Sequence, residues 1–349
     1  MKVSQLDVVA LNRYVKANVP ELGEITGYEK FSGGQSNPTF LLSTTTGQYV
    51  LRRQPPGALL KSAHAVDREY AVMQALATTN VPVPQMVHLC QDSTVIGSLF
   101  FIMAFVEGTI YWEAALSKVH TNTGRGQMYD AMNQVLAALH DINPASIGLE
   151  NYGKPGNYFA RQVDRWTTQY RASQTQELAP MEALITYLSD HIPADDGQVA
   201  LVHGDFRLDN MIFSNDQPDK ILAVLDWELS TLGHPFADLA YQCMQLRLPA
   251  NLPQAPGLGG LDRADLGIPT EREYVQSYCQ RRNIDGIENW PFYLAFSFFR
   301  LAAIIQGVVK RARDGNASSD KAAEMDRMVA PLATMAMDVV NKEQPNVQF

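Results

Sequence analysis

The residues that could do chemistry crowd into one stretch of this 349-residue chain. His203-Gly204-Asp205-Phe206-Arg207-Leu208-Asp209-Asn210 runs into the apolar segment Met211-Ile212-Phe213. Sixteen residues after Asn210, at the end of a second apolar run, comes Leu225-Asp226-Trp227-Glu228. Asp205 and Asn210 stand five residues apart, a spacing that lets both side chains leave one loop toward a cleft, and Asp226 ends the next strand-like run where it can face the same way. A carboxylate so placed can take a proton from an attacking hydroxyl. An amide carbonyl and a second carboxylate are hard oxygen donors of the kind Mg²⁺ prefers. A proton acceptor beside magnesium ligands is the division of labour of phosphoryl transfer.

A second candidate lies near the N-terminus. Phe31-Ser32-Gly33-Gly34-Gln35-Ser36-Asn37 joins two strand-like runs. Small residues at Gly33, Gly34 and Ser36 let backbone N–H groups approach phosphates closely. The loop is not a Walker A, because no Gly-Lys-Ser/Thr follows and the next element reads as a strand.

These residues need elements to hold them. Apolar spacing predicts a helix over 4–18 and another over 65–78, the second broken by Val81-Pro82-Val83-Pro84. A first strand signal ends near residue 31 and others cover 39–43, 49–52, 86–90 and 99–104, with a hairpin turn at 44–47. After residue 105 the pattern turns helical, over 123–141, 158–173, 181–191, 234–246, 270–282, 291–313 and 318–341. Short strands interrupt it, 199–202 expected to pair with 211–213, and 221–225 beside them. The Pro- and Gly-rich stretch 249–269 reads as an irregular loop, a candidate lid or substrate wall. The predicted class is α+β: a small antiparallel β-sheet lobe over 1–105 and a larger, mainly helical lobe over 106–349, with the acceptor wall expected from 249–313.

Composition narrows the function classes. A chain with 46% hydrophobic and 19% charged residues is an ordinary globular balance, which excludes a wholly disordered, collagen-like or disulfide-stapled chain. The net charge of −9 argues against a nucleic-acid partner. Residues 1–105 carry 8 basic and 7 acidic side chains, and the remainder carries 20 and 30; the acidic half either attracts a cation or only keeps the surface soluble. Cys90, Cys243 and Cys279 form no CxxC pair and no zinc knuckle, which fits a reducing, cytoplasmic setting. Asp7 and Arg13 interrupt the first apolar stretch, so no signal-peptide core is expected. Residues 292–309 approach transmembrane length, but Arg300 sits in their middle, and a charge at a bilayer centre costs about 2.5–3.5 kcal/mol on insertion scales. A buried helix is the expectation, with no membrane partner.

The HGD–N–DW core resembles the catalytic loop of the protein-kinase-like superfamily, whose H-R-D-x-x-x-x-N has the same Asp-to-Asn spacing. HGD in place of HRD, with a short DW/E in place of DFG, is similar to the aminoglycoside phosphotransferase and choline-kinase branch. More closely, the run from Tyr49-Val50-Leu51-Arg52-Arg53 through the HGD segment to Gly257-Leu258-Gly259-Gly260-Leu261-Asp262 resembles the phosphotransferase-type domain fused to some acyl-CoA dehydrogenases.

This resemblance implies a two-lobed kinase-like fold that uses ATP and Mg²⁺ to phosphorylate a small-molecule hydroxyl. Asp205 matches the catalytic base, and Asn210 and Asp226 match the metal ligands. Arg207 falls where a cation meets the transferring phosphate. Arg52 takes the place of the phosphate-binding Lys of the third strand, Glu69 is its expected helix partner with Asp67 as rival, and Gly33, Gly34 and Ser36 cover the phosphates. Residues 101–107 would be the adenine-binding hinge. Asp238 matches an acid that anchors the catalytic loop, His203 braces it, and Glu228 is left between a metal ligand and a supporting role. Arg53, on the opposite strand face, is expected at the surface. Only residues 229–236 separate the DWE segment from the Ala237-Asp238 pair, so no peptide-docking platform is expected. The acceptor is then a small hydroxylated molecule: an aminoglycoside, an amino alcohol or a hydroxyacyl-CoA. Two rival readings remain. One is a metal-dependent phosphatase or hydrolase with His203, Asp205, Asp226 and His234 as ligands; the other is a catalytically silent nucleotide-binding module.

Overall fold

Five strands, β1 (Ile25–Lys30), β2 (Thr39–Thr44), β3 (Gln48–Arg53), β4 (Met86–Cys90) and β5 (Phe100–Ala104), make an antiparallel sheet in the order β1-β2-β3-β5-β4. They belong to a computed structural model that describes residues 5–31, 37–55, 64–252, 256–314, 322–342 and 346–348. Side chains alternate between the faces of a strand, yet Val50, Leu51, Arg52 and Arg53 are all buried, so β3 is covered on both sides. On one face helix α1 (Val8–Asn18) packs Leu11 and Val15 into a core with Phe40, Leu42, Leu51, Phe100 and Ile102. The other face meets α2 (Val66–Leu76), whose Tyr70 ring centre is 6.2 Å from that of Phe101.

This double cover corrects the expectation for Arg53. The residue does point away from Arg52, but it is 0% exposed. It donates to the carbonyls of Ile96 (3.4 Å) and Gln5 (3.2 Å), and its guanidinium lies 5.5 Å from the Phe40 ring centre. Burial pulls its pKa below the ordinary value.

The chain gathers into two compact units. The first comprises Met1–Tyr111, Ala145–Leu149 and Asp209–Ser230; the second comprises Trp112–Pro144, Glu150–Leu208 and Thr231–Phe349. A boundary near residue 105 therefore lies close to the first crossing, but 209–230 groups with the sheet. The reason is hydrogen bonding. Within this segment β7 (Met211–Phe213) pairs with β8 (Ile221–Val224), Phe213 and Thr109 exchange backbone bonds of 2.8 and 2.9 Å, and Val224 donates to the Pro82 carbonyl at 2.8 Å. The expected partnership of 199–202 with 211–213 is not formed. Instead β6 (Ala200–Val202) pairs with β9 (Thr231–Gly233). The turn between β7 and β8 is closed by Ser214 N–H on the Lys220 carbonyl at 2.9 Å.

The second unit holds α3 (Asn122–Asp141), α4 (Tyr158–Ser173), α5 (Ala179–Asp190), α6 (Phe236–Arg247), α7 (Arg263–Leu266), α8 (Glu271–Arg282), α9 (Trp290–Arg313) and α10 (Ala322–Lys342). A small pair, β10 (Gly286–Glu288) with β11 (Asn346–Gln348), completes it. Helix α8 starts on a capping box: Thr270 Oγ1 accepts from Glu273 N–H, and the Glu273 carboxylate accepts from Thr270 N–H at 2.8 Å. Helix α9 is the core element, packed by α4, α5, α6 and α10. By length and composition α9 could cross a membrane, but 72% of its apolar window is buried within the protein, as expected for the 292–309 run.

Among the described residues of 249–269 are α7 and the segment 256–259, which returns to the end of α6. Leu258 and Gly259 donate to the carbonyls of Leu246 and Leu248 at 2.9 Å each. A Cβ on Gly257 would sit 2.2 Å from the Leu248 carbonyl oxygen and 2.5 Å from that of Gln245. Gly257→Ala is therefore expected to destabilise the protein by about 1–3 kcal/mol, the scale of an overpacked site. A denaturant midpoint equal to that of the wild type would contradict this.

Candidate active site

In the first unit, Arg52 is the centre of a charged cluster. Strand β3 presents its buried guanidinium to α2 and to the turn after β8. Nε donates to Glu69 Oε2 at 2.8 Å, Nη2 donates to Asp226 Oδ1 at 2.8 Å, and Glu228 Oε2 lies 3.7 Å from Nη2. Glu69, not Asp67, is the helix partner, and it is only 2% exposed. Burial alone would lower Arg52, but the three carboxylates outweigh it and raise its pKa. Burial pushes the Glu69 carboxyl up to about 7; Asp226 and Glu228 add to this, and Arg52 opposes it.

Glu69 ordinarily titrates at 4.5. Between pH 4.5 and 7 the folded protein thus holds a proton that the unfolded chain has released, so the Glu69 contribution to stability falls as pH rises through that window. The thermal midpoint of the wild type, measured against Glu69→Gln, is expected to drop across this range and level off above it. Parallel pH profiles would refute the assignment.

Asp226 follows β8 in the left-handed region, with φ 62°, a conformation Asp tolerates better than most residues. Behind it Trp227 is fully buried and donates from Nε1 to the Val224 carbonyl at 2.9 Å, which anchors the turn. Leu225 N–H donates to the Asn210 carbonyl at 2.8 Å, extending the β7–β8 ladder so that Asn210 and Asp226 flank adjacent chain ends. Asn210 and a carboxylate that is one-third exposed are hard oxygen donors, and one guanidinium among three carboxylates leaves excess negative charge. This donor set fits Mg²⁺.

Gly33, Gly34 and Ser36 lie outside the described residues. Asn37, at the far end of their loop, is buried; its Nδ2 donates to Glu228 Oε2 at 3.5 Å, and its Oδ1 lies 3.1 Å from His64 Nδ1. Sequence reasoning missed Asn37 and His64. Nothing in their spacing marks them, since each reaches its partner only through the fold.

The second unit carries Asp205 and Arg207; the chain passes from one unit to the other between Leu208 and Asp209. Asp238, in the first turn of α6, accepts the backbone N–H groups of His203 at 2.6 Å and Gly204 at 2.8 Å, so it does anchor the loop. Burial would raise Asp238, but His140, 3.3 Å away, and the Gly204 amide hold it below the ordinary carboxylate value. His140 is in turn 2.7 Å from the Tyr278 hydroxyl. Gly204 has φ +83°, a conformation that L side chains rarely adopt and that explains a Gly between His203 and Asp205. His203 is fully buried, and its Nδ1 accepts the Asp205 N–H at 3.1 Å, a bracing contact.

Two further residues address this loop. The Tyr241 hydroxyl donates to Asp205 Oδ1 at 2.8 Å, and Arg300 donates to the Gly204 carbonyl at 2.6 Å. Arg300 had left a sequence signal: a lone charge inside an apolar helix needs a polar partner. Arg207 is partly buried, and its charge, like that of Arg300, works to lower the Tyr241 pKa against burial and the Asp205 charge. Among the described residues no three His, Cys, Asp or Glu side chains converge as metal ligands, and His234 instead lies 3.3 Å from Asp196. The phosphatase reading therefore lacks its ligand cluster.

Known proteins resemble this chain over most of its length. The family described as Phosphotransferase enzyme family (APH) matches residues 27–274. Acyl-CoA dehydrogenase family member 10 of Mus musculus is 47% identical over 314 residues, which are 90% of this chain and 29% of that longer protein. A crystal structure of a proposed aminoglycoside phosphotransferase from Ralstonia eutropha is 45% identical, with a TM-score of 0.88, over 97% of this chain and 100% of that one. The complex of spectinomycin phosphotransferase with ADP and spectinomycin is 12% identical, with a TM-score of 0.61, over 96% and 98% of the two chains, a likeness of fold.

Proposed function

The chain belongs to the APH phosphotransferase enzyme family, and from that premise we propose that it transfers the γ-phosphate of ATP to a hydroxyl of a small molecule. The observation that carries this reading is Arg52, held at 2.8 Å from both Glu69 and Asp226. A cation on a rigid strand, steadied by a helix acid and next to the metal-ligand candidate, suits a nucleoside triphosphate. A hydrolase acting without nucleotide would have no use for it.

In this reaction Asp205 accepts the proton of the acceptor hydroxyl as the hydroxyl oxygen bonds to the γ-phosphorus. The bond from that phosphorus to the β–γ bridging oxygen breaks, and ADP leaves with the electron pair. Arg207 offsets charge on the transferring group. Asn210 and Asp226 would hold Mg²⁺, which when bound neutralises triphosphate charge. Arg52 supplies a fixed positive charge, and the sequence resemblance assigns the amides of Gly33, Gly34 and Ser36 to the phosphates. Fold relatives solved with ADP and with GDP support a purine-nucleotide donor, for which ATP is proposed.

For the acceptor, the sequence resemblance to the phosphotransferase-type domain fused to acyl-CoA dehydrogenases favours an acyl-CoA, which is anionic, over a polycation. The acyl-CoA dehydrogenase relative points the same way. A hydroxyacyl-CoA is therefore the leading candidate, ahead of an amino alcohol or an aminoglycoside. The free, buried state of Cys90, Cys243 and Cys279 supports a cytoplasmic setting. The test is an ATP-consumption screen across hydroxyacyl-CoAs, amino alcohols, other hydroxylated metabolites and aminoglycosides, with Asp205→Asn as the blank. Turnover that depends on Asp205 and on one acceptor class is expected. Phosphate-ester hydrolysis that needs metal but no ATP would overturn the reading.

A further inference from the structure

We propose that Tyr241 is a positioning residue for the Asp205 carboxylate and that Arg300 holds Tyr241 and the loop in register for that task. This rests on the assignment of Asp205 as proton acceptor.

Helix α6 addresses the loop twice, from positions three apart on one face: Asp238 takes the backbone N–H groups of His203 and Gly204, and Tyr241 grips the side chain of Asp205. The hydroxyl of Tyr241, itself 6% exposed, donates to Asp205 Oδ1 at 2.8 Å. Burial and the Asp205 charge both push Tyr241 above its ordinary pKa, so its proton stays on the phenol as a donor. Helix α9 supplies the second grip. The Arg300 guanidinium lies 5.2 Å from the Tyr241 ring centre and 5.8 Å from that of Trp166, while Nη2 donates to the Gly204 carbonyl at 2.6 Å.

One arginine thus touches both the ring that holds the carboxylate and the residue that precedes it. A cation over a phenol ring draws electron density from it and strengthens the hydroxyl as a donor. A proton acceptor whose carboxylate turns freely loses productive encounters. Fixing one carboxylate oxygen to a helix and the preceding carbonyl to another removes that freedom. The cost of a charge within the apolar run of α9 is understandable if this is its purpose.

The experiment compares wild type, Asp205→Asn, Tyr241→Phe and Arg300→Lys with Mg-ATP, using β-hydroxybutyryl-CoA, γ-hydroxyvaleryl-CoA and water as acceptor probes. Tyr241→Phe keeps the ring under Arg300 and removes only the donor. Its kcat is expected to fall about 10- to 100-fold, the weight of one hydrogen bond to a charged group, with the nucleotide KM within twofold and an unchanged thermal midpoint. Arg300→Lys keeps the charge but not the planar fork, and its kcat is expected to fall less. A purely structural role would instead lower the thermal midpoint and leave kcat per folded molecule intact. Asp205-dependent turnover with kcat retained in Tyr241→Phe overturns the positioning role and spares the proposed function. Absence of Asp205-dependent turnover in the wild type overturns the base assignment, and this inference falls with it.

Discussion

Asp205→Asn is expected to reduce phosphoryl transfer by about 10²- to 10⁴-fold in kcat, the range that a positioned general base contributes. The substitution is nearly isosteric, and an amide oxygen can still accept the Tyr241 hydroxyl, which donates to Asp205 at 2.8 Å. What disappears is the group that takes the acceptor proton. Arg52, Glu69 and Asp226 bond to one another within the first unit, to which Asn210 also belongs, so Mg-nucleotide affinity should stay within twofold. The two quantities are read separately, kcat from ADP release and affinity from calorimetric titration. Full turnover in the variant would remove Asp205 from the base role.

Asp226→Ala is expected to abolish the Mg²⁺-dependent part of nucleotide binding, a loss of about 100-fold or more. Two effects combine. The variant lacks a carboxylate of the metal-ligand pair, and Arg52 loses a partner at 2.8 Å while Glu69 and Glu228 remain around it. Asp226→Asn separates them, because it keeps an oxygen donor and discards the charge. ATP titrated with and without Mg²⁺ should then give the same weak isotherm for Asp226→Ala. A Mg²⁺ effect as large as that of the wild type would contradict the ligand assignment.

The comparison between sequence and structure divides along the range of the interactions. Helix α4, read at 158–173 from apolar spacing, is Tyr158–Ser173 in the structure, because its amphipathic period is a local property. The Arg52–Glu69 pair followed from a strand position and a helix position suggested by resemblance, and the two side chains do meet. The anchoring of the HGD loop by Asp238 was legible for the same reason. Arg53 was not: alternation decides which face a side chain takes, but α1 and the Ile96 loop decide whether that face meets water. The partner of β7 was mistaken because four apolar residues do not say which strand they join.

By itself, then, the amino-acid sequence determined the local periodicities and the motif that singles out Asp205, Asn210 and Asp226 as candidates, since each stands in a short segment beside a strand whose apolar pattern is local. Only the tertiary structure decided that Tyr241 and Arg300 grip Asp205 and its neighbour. Those contacts span 36 and 96 positions. Over such separations the chain is too flexible for spacing to dictate contact, and the packing of α6 and α9 makes the choice.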